Sequence, residues 1–323
     1  MSQSIYGAAL DLDAAKSDFL RETIAGLSRN PRTLPCKFFY DERGAQLFQK
    51  ICELPEYYIT RTELGILRLH GADMAKALGT QIELIGLGTG AGTKTRILLE
   101  ELDAPAVYIP IDISREQLQN STARFREVFP RLEILPVCSD YLEHFELPLP
   151  RRPSSRSVVY FPGSTIGNFE PRAAVEFLSR MVELCGDGGG LLIGVDLQKD
   201  PQIIEAAYND SQGVTAEFNL NLLARVNREL SADFELPHWR HRAIYNSSEG
   251  RIEMNLISEI NQTVHMEDRQ FHFNAGEKIV TEFSYKHTPE GFSALAREAG
   301  FDFEKMWTDE ARLFGVFYFT VAR

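Results

Sequence analysis

Cysteine is scarce in this sequence: Cys36, Cys52, Cys138 and Cys185 are widely separated, and none belongs to a C-x-x-C pair. This spacing argues against zinc ribbons, zinc fingers and thioredoxin-like redox motifs. Scattered thiols are typical of a reduced cytoplasmic protein rather than of a disulfide-rich secreted domain. The two histidines of segment 238–241 lack cysteine or carboxylate support, so we expect no metal site.

Long apolar runs and an excess of basic charge are also missing. No window holds the roughly 18 uncharged apolar residues of a membrane-spanning helix, and the N-terminus lacks the basic and apolar regions of a signal peptide. The chain has 34 Lys and Arg against 46 Asp and Glu, a formal net charge of −12. This charge disfavours nucleic acids and anionic membranes as partners. We therefore expect a cytoplasmic monomer that binds neither nucleic acid nor membrane.

The middle of the chain alternates between short apolar strands and helices, within a sequence whose 323 residues suffice for one large domain or two. The predicted strands are 82–87, 107–112, 132–137, 157–161 and 190–196. The predicted helices are 93–101, 114–128 and 171–185. This order predicts an α/β, doubly wound and mostly parallel sheet with helices on both faces. Segments 301–307 and 312–320 predict an antiparallel hairpin that closes the sheet.

The flanking segments follow a different pattern. Residues 12–30 predict an amphipathic helix, an aromatic-rich loop follows, and another helix is predicted from about 61 to 78. A long helical stretch over about 201–230 precedes strand-like segments at 243–246, 251–257, 262–266 and 278–285. We therefore predict a Rossmann-like domain from residues 61–197 and 286–323. Residues 1–60 and 198–285 would form a discontinuous α+β domain.

A glycine-rich loop, residues 86–93 (GLGTGAGT), follows the first strand of this series and opens its first helix. Glycine lets the backbone turn sharply there and approach a ligand closely. Two interpretations compete: the loose dinucleotide fingerprint Gly86-x-Gly88-x-x-Ala91, and the adenosylmethionine loop of class I methyltransferases. Both place an acid at the end of the second strand, where Asp112 stands. That carboxylate would accept from ribose hydroxyls, or it would only stabilise the next helix N-terminus.

Two features favour methyl transfer over hydride transfer. The predicted closing hairpin is typical of class I methyltransferases. The loop 161–168 (FPGSTIGN) follows the fourth strand, where methyltransferases place contacts to the acceptor amine. A Tyr-x-x-x-Lys motif, which would suggest hydride chemistry, does not stand out.

Several long motifs carry a family resemblance: LPEYY (54–58), TRTE (60–63), GSTIGN (163–168), NRELSADF (227–234), RIEM (251–254) and TEFSYK (281–286). From about residue 34 to the C-terminus, the chain resembles the histidine-specific Nα-methyltransferases of ergothioneine biosynthesis. The resemblance implies a class I fold and S-adenosylmethionine as the cofactor. It also implies L-histidine as the small-molecule substrate, and three methyl transfers that give the trimethyl betaine hercynine.

The resemblance also implies roles for particular residues, although it assigns no certain catalytic acid or base. The cofactor-binding positions are Tyr40, Gly88, Lys94, Asp112 and Asp140. The substrate-binding positions are Asn168 and Tyr208 for the carboxylate, Tyr57, Glu282 and Ser284 for the imidazole, and Phe48, Gly163 and Met254 for the remaining wall.

Ordinary structural explanations compete with several of these roles. Asn168 could cap a loop, and Tyr208 could be a residue of an amphipathic helix. Glu282 and Ser284 are two apart on a predicted strand, so their side chains share one face, which could line a binding site or face solvent.

One position departs from the family pattern. The family usually carries an acid two residues before the first key glycine, Gly88, and this chain has Gly86 there. We expect the change to bear on cofactor affinity. Two alternatives stay open: a methyltransferase for another amino acid or amine, against which Glu282 and Ser284 argue, and an adenosylmethionine-binding protein with little turnover, which only Gly86 supports.

Overall fold

The structure, a computed structural model, describes residues 16–143 and 145–322. Residues 1–15, with the start of the helix predicted over 12–30, lie outside the described residues. Residues 16–27 are helical and are called α1. The remaining helices are α2 (Glu42–Glu53), α3 (Tyr58–Leu78), α4 (Thr93–Glu101), α5 (Arg115–Val128), α6 (Pro171–Cys185), α7 (Pro201–Tyr208), α8 (Val214–Leu230) and α9 (Pro289–Glu298).

The strands are labelled in the same way, in chain order. They are β1 (Arg32–Thr33), β2 (Glu83–Leu87), β3 (Val107–Asp112), β4 (Glu133–Ile134), β5 (Val137–Cys138), β6 (Ser157–Phe161), β7 (Gly190–Asp196), β8 (Trp239–Asn246), β9 (Arg251–Ser258), β10 (Gln262–Met266), β11 (Arg269–Phe273), β12 (Lys278–Tyr285), β13 (Phe301–Thr308) and β14 (Phe314–Val321). The chain divides into two compact units. Unit 1 combines the residues up to Tyr58 with Lys199–Ser284, and unit 2 combines Ile59–Gln198 with the residues from Tyr285 onward.

Unit 2 is built on a single twisted sheet in the order β13-β14-β7-β6-β2-β3-β4, with β5 also paired to β3. Strands β2 to β7 pair in parallel. Strand β14 is antiparallel to both β7 and β13. The predicted parallel sheet with a closing antiparallel hairpin is therefore confirmed. Because the carboxyl ends of the parallel strands share one edge, the loops after β2, β3, β5 and β6 emerge together.

One face of this sheet forms the main apolar core of unit 2. Side chains such as Ile85, Val159 and Ile193 pack there with Phe177 of α6 and Phe292 of α9. The central strands are mostly apolar, with polar residues only at their ends, because helices cover both of their faces.

The opposite face carries tyrosines and glycines among its aliphatic side chains. Gly86 lies across from Tyr160, and Tyr160 lies across from Leu192. Since side chains alternate along a strand, Gly194 shares this face with Leu192. Tyr108 also lies here, in edge-to-face contact with Phe125 of α5 at a centroid distance of 5.2 Å. Because Gly86 and Gly194 have no side chains, they leave space on this face for side chains from the helices that cover it.

The strand predicted over 132–137 is divided in the structure. Glu133–Ile134 and Val137–Cys138 pair with β3 separately. Pro136 lies between them and has no N–H for the ladder. The interruption therefore follows from one residue that the apolar pattern concealed.

Unit 1 contains a four-stranded sheet in the order β1-β12-β9-β8 and a separate antiparallel pair, β10 and β11. The helical stretch predicted over about 201–230 consists of two helices, because α7 ends at Tyr208 and α8 begins at Val214. Asp210 accepts the N–H groups of Val214 and Thr215 at 2.9 and 2.7 Å. Gly213 has φ of +74°. A cap and a left-handed residue together restart the helix.

The segment predicted as an aromatic-rich loop contains α2 and a short 3-10 helix, Cys36–Phe39. Asp41 begins α2 by accepting the Gly44 N–H at 2.7 Å. Strand β11, which was not predicted, completes the hairpin with β10.

Two kinds of feature are absent from the described residues. Within 16–143 and 145–322, no helix has the length and apolar character needed to cross a membrane. In the same ranges, no group of three or more His, Cys, Asp or Glu side chains is arranged to hold a metal ion.

Candidate active site

The glycine-rich loop of unit 2 turns at the carboxyl edge of β2. Gly88, Gly90 and Gly92 have φ values of +59°, +49° and +77°, a region that ordinary residues seldom adopt. The Gly88 N–H donates to the carbonyl of Ile111 at 2.9 Å, which ties the loop to β3. A Cβ at Gly90 would have no atom within 4 Å. The loop therefore presents open backbone on one side, as a cradle for a ligand requires.

Asp112 ends β3 beside this loop and is 8% exposed. Its Oδ2 accepts the Gly90 N–H at 3.0 Å, and its Oδ1 accepts the Ser114 N–H at 2.9 Å. The carboxylate thus stabilises the start of α5 and fixes the glycine loop at the same time. A carboxylate oxygen has two lone pairs, so each oxygen can accept one more hydrogen bond. Hydroxyl groups of a ribose would suit that capacity.

Asp140 lies on the loop after β5. Its Oδ1 accepts the Leu142 N–H at 2.8 Å, which makes Asp140 the cap of a tight turn. The neighbouring Tyr141 ring contacts Phe161 at a centroid distance of 5.5 Å. A Cβ at Gly88 would lie 3.5 Å from Tyr141 Cε1. The structure therefore brings Gly88, Asp112 and the Asp140 loop to one stretch of the sheet edge.

Lys94 stands in the first turn of α4 and forms an ion pair with Glu63 of α3. The distance from Lys94 Nζ to Glu63 Oε2 is 2.5 Å, and Glu63 is completely buried. Both carboxylate oxygens of Glu63 lie 3.0 Å from the N–H of Gly163. Two residues predicted separately, Lys94 and Gly163, are therefore joined by Glu63, the last residue of the TRTE motif.

The loop from Gly163 to Asn168 is fixed by contacts with Asp196 and Tyr285. The Asp196 N–H donates to Ser164 Oγ at 2.9 Å. A Cβ at Gly167 would lie 2.7 Å from the carbonyl oxygen of Tyr285, so only glycine fits there. Asn168 ends the 3-10 helix Thr165–Asn168. These contacts hold the loop against β7 and Tyr285, and Asn168 lies at its end.

Beneath this loop, Asp196 and Lys286 form an ion pair at 2.8 Å, and both side chains are fully buried. A buried pair of this kind is costly to break by removing one partner.

Unit 1 brings five aromatic side chains together, and we call them the aromatic cluster: Tyr40, Phe48, Tyr57, Tyr208 and Phe218. Centroid distances are 5.5 Å for Tyr40 and Phe48, 6.3 Å for Phe48 and Tyr57, and 6.4 Å for Tyr57 and Tyr208. Phe218 lies 6.1 Å from Phe48 and 5.9 Å from Tyr40. Phe218 was not predicted, since its position on α8 resembles that of any core residue.

Polar groups border the aromatic cluster on one side. The hydroxyls of Tyr208 and Ser284 share a buried hydrogen bond of 2.9 Å. Burial raises the pKa of Tyr57 well above its usual value, and Tyr208, Cys52, Tyr40 and Glu282 raise it further. Glu282 and Ser284 both lie on β12. The structure therefore groups Tyr57, Tyr208, Glu282 and Ser284 within unit 1.

The end of α7 that carries Tyr208 is clamped to β8. His241 Nε2 lies 2.8 Å from the Tyr208 carbonyl oxygen. Asn209 pairs its amide with both the N–H and the C=O of Ala243, at 3.0 Å each. Met254 is buried on β9, and its carbonyl accepts from Thr281 Oγ1 at 3.2 Å. These contacts fix the backbone on which the predicted substrate residues stand.

The residues assigned by resemblance thus fall into two groups, one in each unit. Unit 2 contains six of these residues at the carboxyl edge of its parallel strands: Gly88, Lys94, Asp112, Asp140, Gly163 and Asn168. Unit 1 contains the other seven: Tyr40, Phe48, Tyr57, Tyr208, Met254, Glu282 and Ser284. The open backbone at Gly90, the remaining lone pairs of Asp112 and the Lys94 ammonium fit adenosylmethionine.

Comparison with known proteins gives these groups their context. The family described as histidine-specific methyltransferase, SAM-dependent, matches residues 19–321. The histidine N-alpha-methyltransferase of Mycolicibacterium smegmatis is 44% identical over 95% of this chain and 96% of its own length. The protein of the same name from Mycobacterium tuberculosis is 40% identical over 94% of this chain and 95% of its own. Ergothioneine biosynthesis protein 1 of Neurospora crassa is 32% identical over 86% of this chain, which spans 32% of that protein.

A match over nearly the whole chain is decisive for family membership. It agrees with the fold, in which a parallel sheet carries a glycine loop and ends in an antiparallel hairpin. The chain belongs to the family of histidine-specific, S-adenosylmethionine-dependent methyltransferases.

Proposed function

We propose that this protein transfers methyl groups from S-adenosylmethionine to the α-amine of free L-histidine. Three transfers would give hercynine, as a step of ergothioneine biosynthesis. The family membership and the two relatives named as histidine N-alpha-methyltransferases support the reaction. The observation that carries it is the buried Tyr208–Ser284 hydrogen bond beside Glu282 and the aromatic cluster. Such a set offers hydrogen bonds to an imidazole and aromatic faces to a cation.

On this proposal, residues 61–197 and 286–323 form the adenosylmethionine-binding domain, and residues 1–60 and 198–285 form the substrate-binding domain. L-histidine is the small-molecule partner, and the protein acts as a monomer. The net charge of −12 disfavours nucleic acid and membrane as partners. The scattered cysteines favour a cytoplasmic location.

The bound cofactor would supply an electrophilic methyl group on a sulfonium. The glycine loop would let the cofactor approach the backbone at Gly88, while Asp112 accepts from the ribose hydroxyls. Lys94 would bind the cofactor carboxylate, since its ammonium has three N–H donors and shares only part of them with Glu63. Asp140 and Tyr40 would complete the contacts.

The substrate would be held through groups at both of its ends. Asn168 and Tyr208 would donate to its carboxylate, since an amide and a phenol supply hydrogen bonds without a full charge. Glu282, Ser284 and Tyr57 would pair with the imidazole nitrogens. The remaining wall positions are Phe48, Gly163 and Met254.

Methyl transfer to an amine is a direct displacement, so these residues need only position and desolvate the reactants. Correct orientation can supply up to roughly 7–11 kcal/mol in the best intramolecular cases. The amine must be neutral to react, and we assign no general base, so the proton would pass to water. Rings such as Tyr57 and Phe48 would stabilise the ammonium that each transfer leaves behind.

The test is mass spectrometry of L-histidine incubated with the protein and S-adenosylmethionine. We expect products with one, two and three added methyl groups, and the last should accumulate. If another amine is methylated instead, the acceptor assignment is wrong. If the cofactor binds but no acceptor is methylated, the protein is an adenosylmethionine-binding protein with little turnover, the role that Gly86 would favour.

A further inference from the structure

Glu63 is a buried carboxylate on α3, and its partners lie on other elements of unit 2. It lies on α3 with no exposed surface, 2.5 Å from Lys94 Nζ and 3.0 Å from the Gly163 N–H. We propose that Glu63 is a positioning residue that fixes the Lys94 ammonium and the start of the 163–168 loop for cofactor binding. The inference rests on the proposed function, because it takes Lys94 to bind the cofactor.

The buried charge of Glu63 is both paired with a cation and hydrogen-bonded. A carboxylate is buried at high cost unless it is paired and hydrogen-bonded. Lys94 supplies the opposite charge, and the Gly163 N–H points at both oxygens. Lys94 keeps 21% of its side chain exposed, and its ammonium has three N–H donors, of which the contact with Glu63 uses only part. A lysine side chain is otherwise flexible, so this pair defines where the charge stands.

Neighbouring glycines provide the space that Glu63 occupies. A Cβ at Gly194 would lie 2.3 Å from Glu63 Oε1 and 3.1 Å from its Cδ. A Cβ at Gly163 would lie 3.4 Å from Lys94 Nζ. Any side chain at position 194 would therefore displace the carboxylate. The Glu63 side chain of α3 therefore contacts residues at the ends of both β6 and β7, which are far from α3 in the chain.

The location of Glu63 also bears on the acid that is missing at position 86. Gly194 lies on the same face of the sheet as Gly86, through the pairings of Tyr160 with Gly86 and with Leu192. Glu63 is packed over that face at Gly194. Asp196 shares the face too, but it is paired with Lys286. Glu63 therefore brings its carboxylate to Lys94 at the start of α4, and the strand that carries Tyr160 lies between Glu63 and position 86.

The test is a double-substitution cycle on the full chain. Binding of S-adenosylhomocysteine is measured by calorimetry for the wild type, Glu63→Gln, Lys94→Met and the double variant. We expect each single substitution to raise Kd at least tenfold, and the double variant to be no weaker than Lys94→Met alone. The KM for S-adenosylmethionine should rise with Kd, while kcat at saturating cofactor changes less.

A matched control and a conservative variant accompany the cycle. Glu83→Gln removes another buried acid of unit 2, one that accepts from Ser157 Oγ at 3.0 Å at the start of β2. It should leave Kd within twofold. Glu63→Asp keeps the charge but is one carbon shorter, so we expect an intermediate Kd. If Glu63→Gln does not fold, Glu63→Asp provides the same cycle with Lys94→Met.

Each remaining outcome counts against a definite part of the reasoning. Equal effects of Glu63→Gln in the wild-type and Lys94→Met backgrounds would show a structural role only, and would overturn the inference. A lower Tm with unchanged Kd would overturn it too. If Lys94→Met binds as well as the wild type, the proposed role of Lys94 fails and the inference with it. A wild type without cofactor affinity would overturn the proposed function itself.

Discussion

Replacing Gly86 by glutamate would restore the acid that the family usually carries, but it would also insert a side chain into filled space. A Cβ there would lie 3.0 Å from Thr89 Cγ2, and 3.2 and 3.3 Å from Cε2 and the hydroxyl of Tyr108. Tyr108 is fully buried on β3 and packs against Phe125, so it cannot move aside easily. The loop is thus adapted to glycine, and we expect Gly86→Glu to weaken cofactor binding.

The size of the effect follows from overpacking. Forcing extra atoms into a packed core costs about 1–3 kcal/mol, which corresponds to roughly 5- to 150-fold in an equilibrium constant. Because the Cβ alone makes the close contacts, Gly86→Ala should already show much of this loss. Thr89 lies in the glycine loop, so part of the loss should appear as a higher Kd for S-adenosylhomocysteine. The rest should appear as a lower Tm, by about 2 °C per kcal/mol, the lower end of the range for domains of 150–250 residues.

Calorimetry and thermal unfolding of the two variants would test this reasoning, with Gly65→Ala as the control. A Cβ at Gly65 has nothing within 4 Å, and alanine is the better residue in a helix by about 1 kcal/mol. The control should therefore keep its affinity and gain stability. Tighter cofactor binding by Gly86→Glu at an unchanged Tm would refute the packing argument. It would mean that the acid was simply lost from this position.

Three further predictions concern the cofactor, the substrate and the pH dependence of stability. Asp112→Ala leaves two N–H groups without their acceptor, so calorimetry should show cofactor binding weakened by about 1–3 kcal/mol; an unchanged Kd would place the ribose contact elsewhere. Glu282→Ala should lower kcat/KM for histidine far more than cofactor affinity, and the double change of Glu282 and Met254 to smaller apolar residues should shift preference toward tryptophan. A constant ratio of kcat/KM for the two amino acids would contradict this assignment. Burial lowers the pKa of His287 from 6.5 to about 4, so between these values the unfolded chain binds a proton that the folded chain does not, and stability is lost as pH falls from 6.5 toward 4. Tm measured against pH should fall less steeply in this range for His287→Leu, and equal slopes would be evidence against the prediction.

The α/β order, the parallel sheet and the closing hairpin could be predicted from the sequence because their signals are local. A strand buried on both faces has a continuous apolar run, and β2, β3, β6 and β7 have such runs apart from a polar residue at one end. The helix start at Ser114 was readable from its cap, which accepts the Gln117 N–H. The apolar pattern did not predict the breaks at Pro136 and Gly213, because a single proline or glycine ends the element there.

The predicted site depended on motifs rather than on periodicity. Tyr208 and Ser284 are 76 positions apart, and nothing local in either segment relates them, yet their hydroxyls lie 2.9 Å apart. Phe218 carried no motif and was missed, although its ring contacts two predicted residues. Motifs identify residues that relatives share, whereas packing partners are set by how the helices cross.

By itself, the sequence determined the kind of fold, the glycine loop and the absence of an acid at position 86. Only the tertiary structure decided what that absence means. Tyr108 and Thr89 occupy the space beside Gly86, and Glu63 brings its carboxylate from α3 to Lys94 and Gly163. Glu63 and Gly163 are 100 positions apart, so no spacing rule connects them. Their contact exists because burying a charge requires its partners to converge, and that convergence is a property of the folded chain alone.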